Sequence, residues 1–148
     1  ILDDKKFCDY KLVLTGVINK KIFKKEIKHK ENFVLLDYIE RDELECLFEN
    51  SYAFIYPSLN EGFGYPPLSA MKYGVPVITS GSSSIPEVCG NAAIYFDPYS
   101  IYEIKNRILQ LSDKEIYNEC SKNGLERFAY ISEFQKKDLQ RLSQIILQ

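Results

Sequence analysis

Apolar residues along the chain fall into short, nearly unbroken runs, separated by longer segments in which they recur every three or four positions. The runs are "KLVLTG" at 11–16, "NFVLLDY" at 32–38, "AFIYPS" at 53–58, "PVITS" at 76–80 and "AAIYFD" at 92–97. Rich in Val, Ile, Phe and Tyr and bounded by Gly, Ser, Asp or Pro, they predict β-strands. Continuous rather than alternating apolarity implies strands covered on both faces, as in a parallel sheet.

The intervening segments predict helices. Residues 19–30 are strongly basic, with Ile22, Phe23 and Ile27 as their apolar side. Residues 41–50 place Leu44, Leu47 and Phe48 on one face. Residues 66–73 open on proline, which a first helical turn tolerates, and stop at Gly74. Residues 100–111 space Ile101, Ile104, Ile108 and Leu111 helically, and two further helices are expected over 113–130 and 132–147. Strand–helix alternation of this kind predicts right-handed βαβ units and an α/β fold, a Rossmann-like doubly wound parallel sheet. No repeat or linker interrupts it, so one domain over 1–148 is expected. The opening "ILDDKKFCDY" reads as a helix tail feeding a strand. The first strand of such a sheet is usually central, so the sheet is expected to lack that strand.

Composition narrows the class. At 45% apolar and 27% charged residues the chain suits a globular domain, and a net charge of −2 leaves no basic field for nucleic acid. No apolar stretch approaches the roughly 20 residues a membrane span needs. Cys8, Cys46, Cys89 and Cys120 lie far apart, and His29, inside "KKEIKHK", is the one histidine. Neither a zinc site nor a disulfide framework is expected. Buried thiols in a reducing cytoplasm and a solvated His29 are the plain readings.

The segment "NEGFGYPPLSAMKYGVPVI", residues 60–78, carries the candidate chemistry. It leaves the carboxyl end of the third predicted strand, the ligand-facing edge in this architecture. Gly62 and Gly64 permit backbone shapes and close approaches that a Cβ would block. Pro66 and Pro67 preset a helix start, whose amides favour anions. Glu61 beside this cradle can accept hydrogen bonds from hydroxyls. Sugar plus phosphate fits the loop; a tight turn with a solvated Glu61 stays open on these residues alone.

The longer stretch "PSLNEGFGYPPLSAMKYGVPVITSGSSSIPEVCGNAAIYFDP" resembles the signature region of the retaining group 1 (family 4) glycosyltransferases of the GT-B fold. The likeness extends through "KLVLTG" and "YIERDELECLFENSYAFIYPS" to the terminal helices. It implies an enzyme of two Rossmann-like domains with the active site between them, this chain being the C-terminal, donor-binding one and the acceptor-binding domain absent. The implied reaction moves a hexose from a nucleotide-diphosphate sugar to an acceptor hydroxyl with retention, needing neither metal nor cofactor. A glycan or lipid-linked acceptor, cell-surface polysaccharide assembly and a cytoplasmic site at the inner face of a membrane, with peripheral attachment, are the family's usual setting.

Residue by residue, the resemblance makes Glu61 the first acid of a Glu-x7-Glu element and the catalytic candidate, facing the donor sugar. It assigns the amides of Gly62, Phe63 and Gly64 to sugar hydroxyls and those around Pro67 and Leu68 to the diphosphate. Tyr38 and Ile39 fall where the base is held, and Gly16, ending the first predicted strand, joins the substrate-binding set. The second acid is replaced by Ser69. A serine supplies one neutral hydrogen bond where a carboxylate supplies a charged pair, so donor binding is expected to weaken about tenfold. Glu87 reads as a helix-start residue rather than a replacement. The family's diphosphate-neutralising Arg and Lys would precede "ILDDKKF", and Lys20, Lys21, Lys24, Lys25, Lys28 and Lys30 read as a solvated face. The chain by itself is therefore expected to bind donor poorly and transfer nothing. A non-catalytic nucleotide-sugar-binding or scaffold module, with Ser69 as its mark, is the alternative. A phosphorylation receiver is disfavoured, because Gly16 and Ser58 stand where it needs acidic groups.

Overall fold

The computed structural model describes residues 7–16 and 30–147. The helix expected over 19–30, His29 and every lysine of the basic run except Lys30 lie outside those residues. The chain divides into two compact units, Ile1–Cys46 and Leu47–Gln148.

In the first unit, β1 (Leu12–Leu14) pairs in parallel with β2 (Phe33–Leu35), Val13 opposite Val34. A short 3-10 turn, Lys30–Asn32, leads into β2. Its buried Asn32 donates through Nδ2 to the carbonyls of Cys8 at 2.7 Å and Tyr10 at 2.9 Å, tying down the approach to β1. Burial here is one-sided. Val13 and Val34 are exposed while their strand neighbours are half-buried, the period-two alternation of a strand with one open face. Cover on both faces, expected from continuous apolarity, does not hold for these two strands. Helix α1 (Arg41–Glu49) runs across the boundary between the units.

The second unit is built on a parallel sheet ordered β3 (Phe54–Tyr56), β4 (Val77–Ser80), β5 (Ala93–Phe96). Its central strand is buried at every position, as unbroken apolarity predicts for a strand sandwiched between layers. Helix α2 (Tyr65–Lys72) connects β3 to β4, and α3 (Ile85–Cys89) with a 3-10 turn at Gly90–Ala92 connects β4 to β5. Met71, Val77, Ile78, Ile85 and Leu111 are fully buried and form the centre of the core. Helix α4 (Ile101–Gln110) starts on Ser100, whose hydroxyl accepts from the Glu103 amide at 3.2 Å. Glu103 in turn accepts from the Asp97 amide at 2.9 Å.

The expected pair of terminal helices is one continuous helix, α5 (Lys114–Ile146), capped by the Asp113 carboxylate. Ser132 had the chemistry of an N-cap, but neither Gly nor Pro stands near it to break the backbone ladder, and Ile131 is buried. Gly124, inside α5, lets this helix approach α2 closely; a Cβ there would sit 3.4 Å from Met71 Cγ. The thiols differ from expectation: Cys89 is buried and Cys120 half-buried, but Cys8 and Cys46 are exposed. Among the described residues, no helix is long and apolar enough to cross a membrane, and no cluster of His, Cys, Asp or Glu could hold a metal ion.

Candidate functional site

The site grows from the carboxyl end of β3. Tyr56 is the last strand residue, and the chain then turns through Pro57–Gly64 before α2 begins. Two neighbouring hydroxyls reach the Glu61 carboxylate. The Tyr56 phenol and the Ser58 hydroxyl, the latter at 2.8 Å, both donate to Oε1. Among the described residues, no donor reaches Oε2. The two bonds, Tyr56's first, hold the Glu61 carboxyl below the usual carboxylate range. Burial, reinforced by the adjacent carboxylate, pushes the Tyr56 phenol up to about 12. One group is thus a lasting acceptor and the other a lasting donor.

The main chain of the loop is held from the next strand and helix. Thr79 Oγ1 donates to the Tyr56 carbonyl at 2.9 Å, and the Ser80 hydroxyl donates to that of Ser58. Ser83 donates to the Glu61 carbonyl at 2.8 Å. Ser84 lies 3.1 Å from that carbonyl and 2.9 Å from that of Phe63. Ser83 adopts a φ of 55°, a left-handed conformation uncommon outside glycine, at the point where it grips the loop. Gly64 ends the loop at φ 108° as the residue that caps α2. Gly62, by contrast, has open space around its Cα and no left-handed φ. Neither a left-handed φ nor a close neighbour requires glycine there.

The helix entrance offers fewer donors than its sequence suggested. Pro66 and Pro67 have no N–H, and Leu68 directs its own to the Gly64 carbonyl at 3.4 Å. The side chains of Pro67 and Leu68 are buried. Of the residues that lead into the prolines, Gly62 and Tyr65 are exposed, Phe63 is half-buried and Gly64 is buried. Ser69 is half-buried on α2, and Phe63 packs its ring 4.7 Å from that of the exposed Tyr65. Glu87 lies exposed in the first turn of α3, as its sequence position suggested.

Three further candidates belong to the first unit. Gly16, at φ 72°, donates its amide to the Asp37 carbonyl at 3.1 Å, which places it against the loop carrying Tyr38 and Ile39. Tyr38 is 84% exposed and Ile39 half-buried. Glu61 to Ser69 thus share one loop and helix in the second unit, and Gly16, Tyr38 and Ile39 cluster separately in the first. Tyr56, Ser83 and Ser84 were not singled out from sequence. The only trace was a hydroxyl-bearing residue five positions before the acid and a serine run after β4, neither of which reveals a contact.

A carboxylate with one oxygen occupied and one open, on a glycine-containing loop at the carboxyl edge of a parallel sheet, is suited to a ligand rich in hydroxyls. The sequence matches the family described as "Glycosyl transferases group 1" over residues 1–127. The chain belongs to that family of group 1 glycosyltransferases. It is 40% identical over 86 residues to an O-antigen chain mannosyltransferase B of Escherichia coli, covering 58% of this chain and 23% of that protein. It is 32% identical over 105 residues to a serotype-specific mannosyltransferase of Escherichia coli, covering 70% of this chain and 13% of that protein. Sucrose-phosphate synthase from Thermosynechococcus elongatus shares the fold, with a TM-score of 0.70 at 20% identity over 79% of this chain and 31% of that one. The chain therefore spans less than a third of the length of each.

Proposed function

We propose that the chain is the donor-binding part of a glycosyltransferase that moves a hexose from a nucleotide-diphosphate sugar to an acceptor hydroxyl, with retention at the anomeric carbon. The observation that carries this reading is the Glu61 carboxylate, held by Tyr56 and Ser58 with Oε2 open at the sheet's carboxyl edge. Glu61 faces the sugar, the amides of Gly62, Phe63 and Gly64 meet its hydroxyls, and the same short row of N–H groups meets the diphosphate. No metal or organic cofactor enters; developing charge on the leaving diphosphate is met by oriented amides. Gly16, Tyr38 and Ile39 serve the nucleotide.

Mannose is the sugar to test first, since two of the similar proteins are named as mannosyltransferases. The acceptor is a glycan or a lipid-linked saccharide, bound by a further domain outside these 148 residues. Cytoplasmic work at the inner face of a membrane, in polysaccharide assembly, belongs to the same proposal. Because the region matched in each mannosyltransferase is under a quarter of that protein, residues 1–148 alone are expected to transfer nothing.

Amide NMR of the chain titrated with nucleotide-diphosphate mannose and with other UDP- and GDP-sugars tests this. Shifts concentrated at residues 61–64, saturating only in the millimolar range, are expected. An unperturbed loop at millimolar donor, or shifts confined elsewhere, overturns it. Ser69 supports a second reading, a module that binds nucleotide sugars without catalysis. Hexose transfer by an assembled enzyme containing residues 1–148 would exclude that module; binding without transfer would favour it.

A further inference from the structure

Glu61 sits on a loop beside Gly62, and its carboxylate accepts from two side chains at the end of β3. The Tyr56 ring stacks on Phe54 with centroids 5.5 Å apart, and Phe54 meets Phe48 edge-on at 5.2 Å. The Tyr56 carbonyl is pinned by Thr79 on the central strand. The Tyr56 hydroxyl is thus carried by a ring packed in an aromatic stack, on a strand residue whose main-chain carbonyl is bonded to buried Thr79. A glutamate side chain by itself rotates about three bonds and loses that freedom on meeting a ligand.

We propose that Tyr56 is the positioning residue of this site: its hydroxyl, together with that of Ser58, saturates Oε1 of Glu61 and leaves Oε2 as the single oxygen offered to a donor-sugar hydroxyl. The proposal rests on the donor-binding reading above for the identity of the ligand, but not for the positioning. A carboxylate oxygen accepts about two hydrogen bonds, and both places on Oε1 are taken. Ligand hydroxyls therefore meet one oxygen in one direction, which selects for a sugar whose hydroxyl points at it. Burial keeps Tyr56 protonated, so the hydroxyl remains a donor across ordinary pH. Tyr56 touches no reacting atom; it acts through Glu61.

Tyr56→Phe keeps the ring stack and deletes the donor. The test follows the Glu61 side-chain carboxyl by carbon NMR against pH in the wild type, Tyr56→Phe and Ser58→Ala. Binding of a nucleotide sugar and of the bare nucleoside diphosphate is measured in parallel. In Tyr56→Phe the Glu61 titration is expected to move upward. Nucleotide-sugar affinity is expected to fall about tenfold, with the nucleoside diphosphate unchanged. Ser58→Ala should move both in the same direction by less, and it decides the matter if the phenylalanine variant does not fold. An unmoved Glu61 titration overturns the proposal, as does equal weakening of both ligands, which would mark a merely structural role. If the wild type binds no nucleotide sugar at all, the donor reading fails while the titration still decides the positioning.

Discussion

The Arg127 guanidinium donates through Nε to the Val88 carbonyl at 2.7 Å, and its Nη2 reaches the carbonyl of Glu87. These are carbonyls of the five-residue helix α3, which has too few turns to satisfy them itself. At its other end α3 begins after Ser84, next to Ser83, and the hydroxyls of these two serines hold the Glu61 loop rather than cap the helix. The long C-terminal helix thus supports the site through a short one. Arg127→Ala is expected to destabilise the second unit by about 1–3 kcal/mol. Urea denaturation measures it; a change within about 0.5 kcal/mol, the range of an ordinary surface substitution, would show that α3 does not depend on the contact.

Gly64 and Gly62 should respond oppositely to alanine. At Gly64 the nearest atoms to an added Cβ lie at 3.9 Å, so space is adequate and the φ of 108° alone opposes substitution. Gly64→Ala is expected to cost about 1–3 kcal/mol. Gly62→Ala should change stability by less than about 0.5 kcal/mol, yet weaken donor binding if a sugar approaches there. Thermal unfolding and donor titration of both variants separate the backbone requirement from the ligand requirement.

The depressed Glu61 carboxyl sets a direction for acid sensitivity. A carboxyl whose folded value lies below its ordinary 4.5 adds stability that is complete above that value. The contribution is lost as pH falls through the lowered folded value. The stability difference between wild type and Glu61→Gln should therefore be constant near neutrality and shrink only under acid. Denaturation midpoints from pH 7 to pH 2 check this, and a difference growing toward low pH would contradict it.

Burial pushes the Cys89 thiol up to about 11, leaving almost no thiolate near neutrality. Exposed Cys8 and Cys46 should alkylate readily in the native protein, and Cys89 only on unfolding. Mass spectrometry of iodoacetamide-treated protein, with and without denaturant, distinguishes them. Native labelling of Cys89 would place that core in frequent exchange with an open state.

Ser69→Glu places a carboxylate where the resemblance to a Glu-x7-Glu element puts its second acid. Donor affinity is expected to rise about tenfold if position 69 meets the ribose, with little change for a ligand lacking those hydroxyls. Calorimetric titration of both variants with one nucleotide sugar and its deoxyribose analogue reads the difference.

Every observed strand lies within a run identified from apolarity, since a strand covered on at least one face leaves a local mark in the sequence. The start of α2 was legible for a similar reason, because proline and glycine act on their own backbone. The continuity of α5 was not. Whether a serine caps a new helix or lies within an old one depends on what packs against its neighbours, here the buried Ile131. Glu61 was visible as chemistry in a glycine-bounded loop, but its partners were not, for a hydroxyl's aim depends on strand geometry.

From residues alone came the α/β class and the loop that carries the acid, and from the likeness of its motif came the family and the expectation that Ser69 stands for a second acid. All are read from order along the chain. Only the tertiary structure decided that Tyr56 and Ser58 share one oxygen of Glu61, that Ser83 and Ser84 grip the loop, and that the Leu68 amide turns to the Gly64 carbonyl. Hydrogen bonds form between groups at specified distances and angles, and segments far apart in sequence acquire those only once the sheet and its helices have packed.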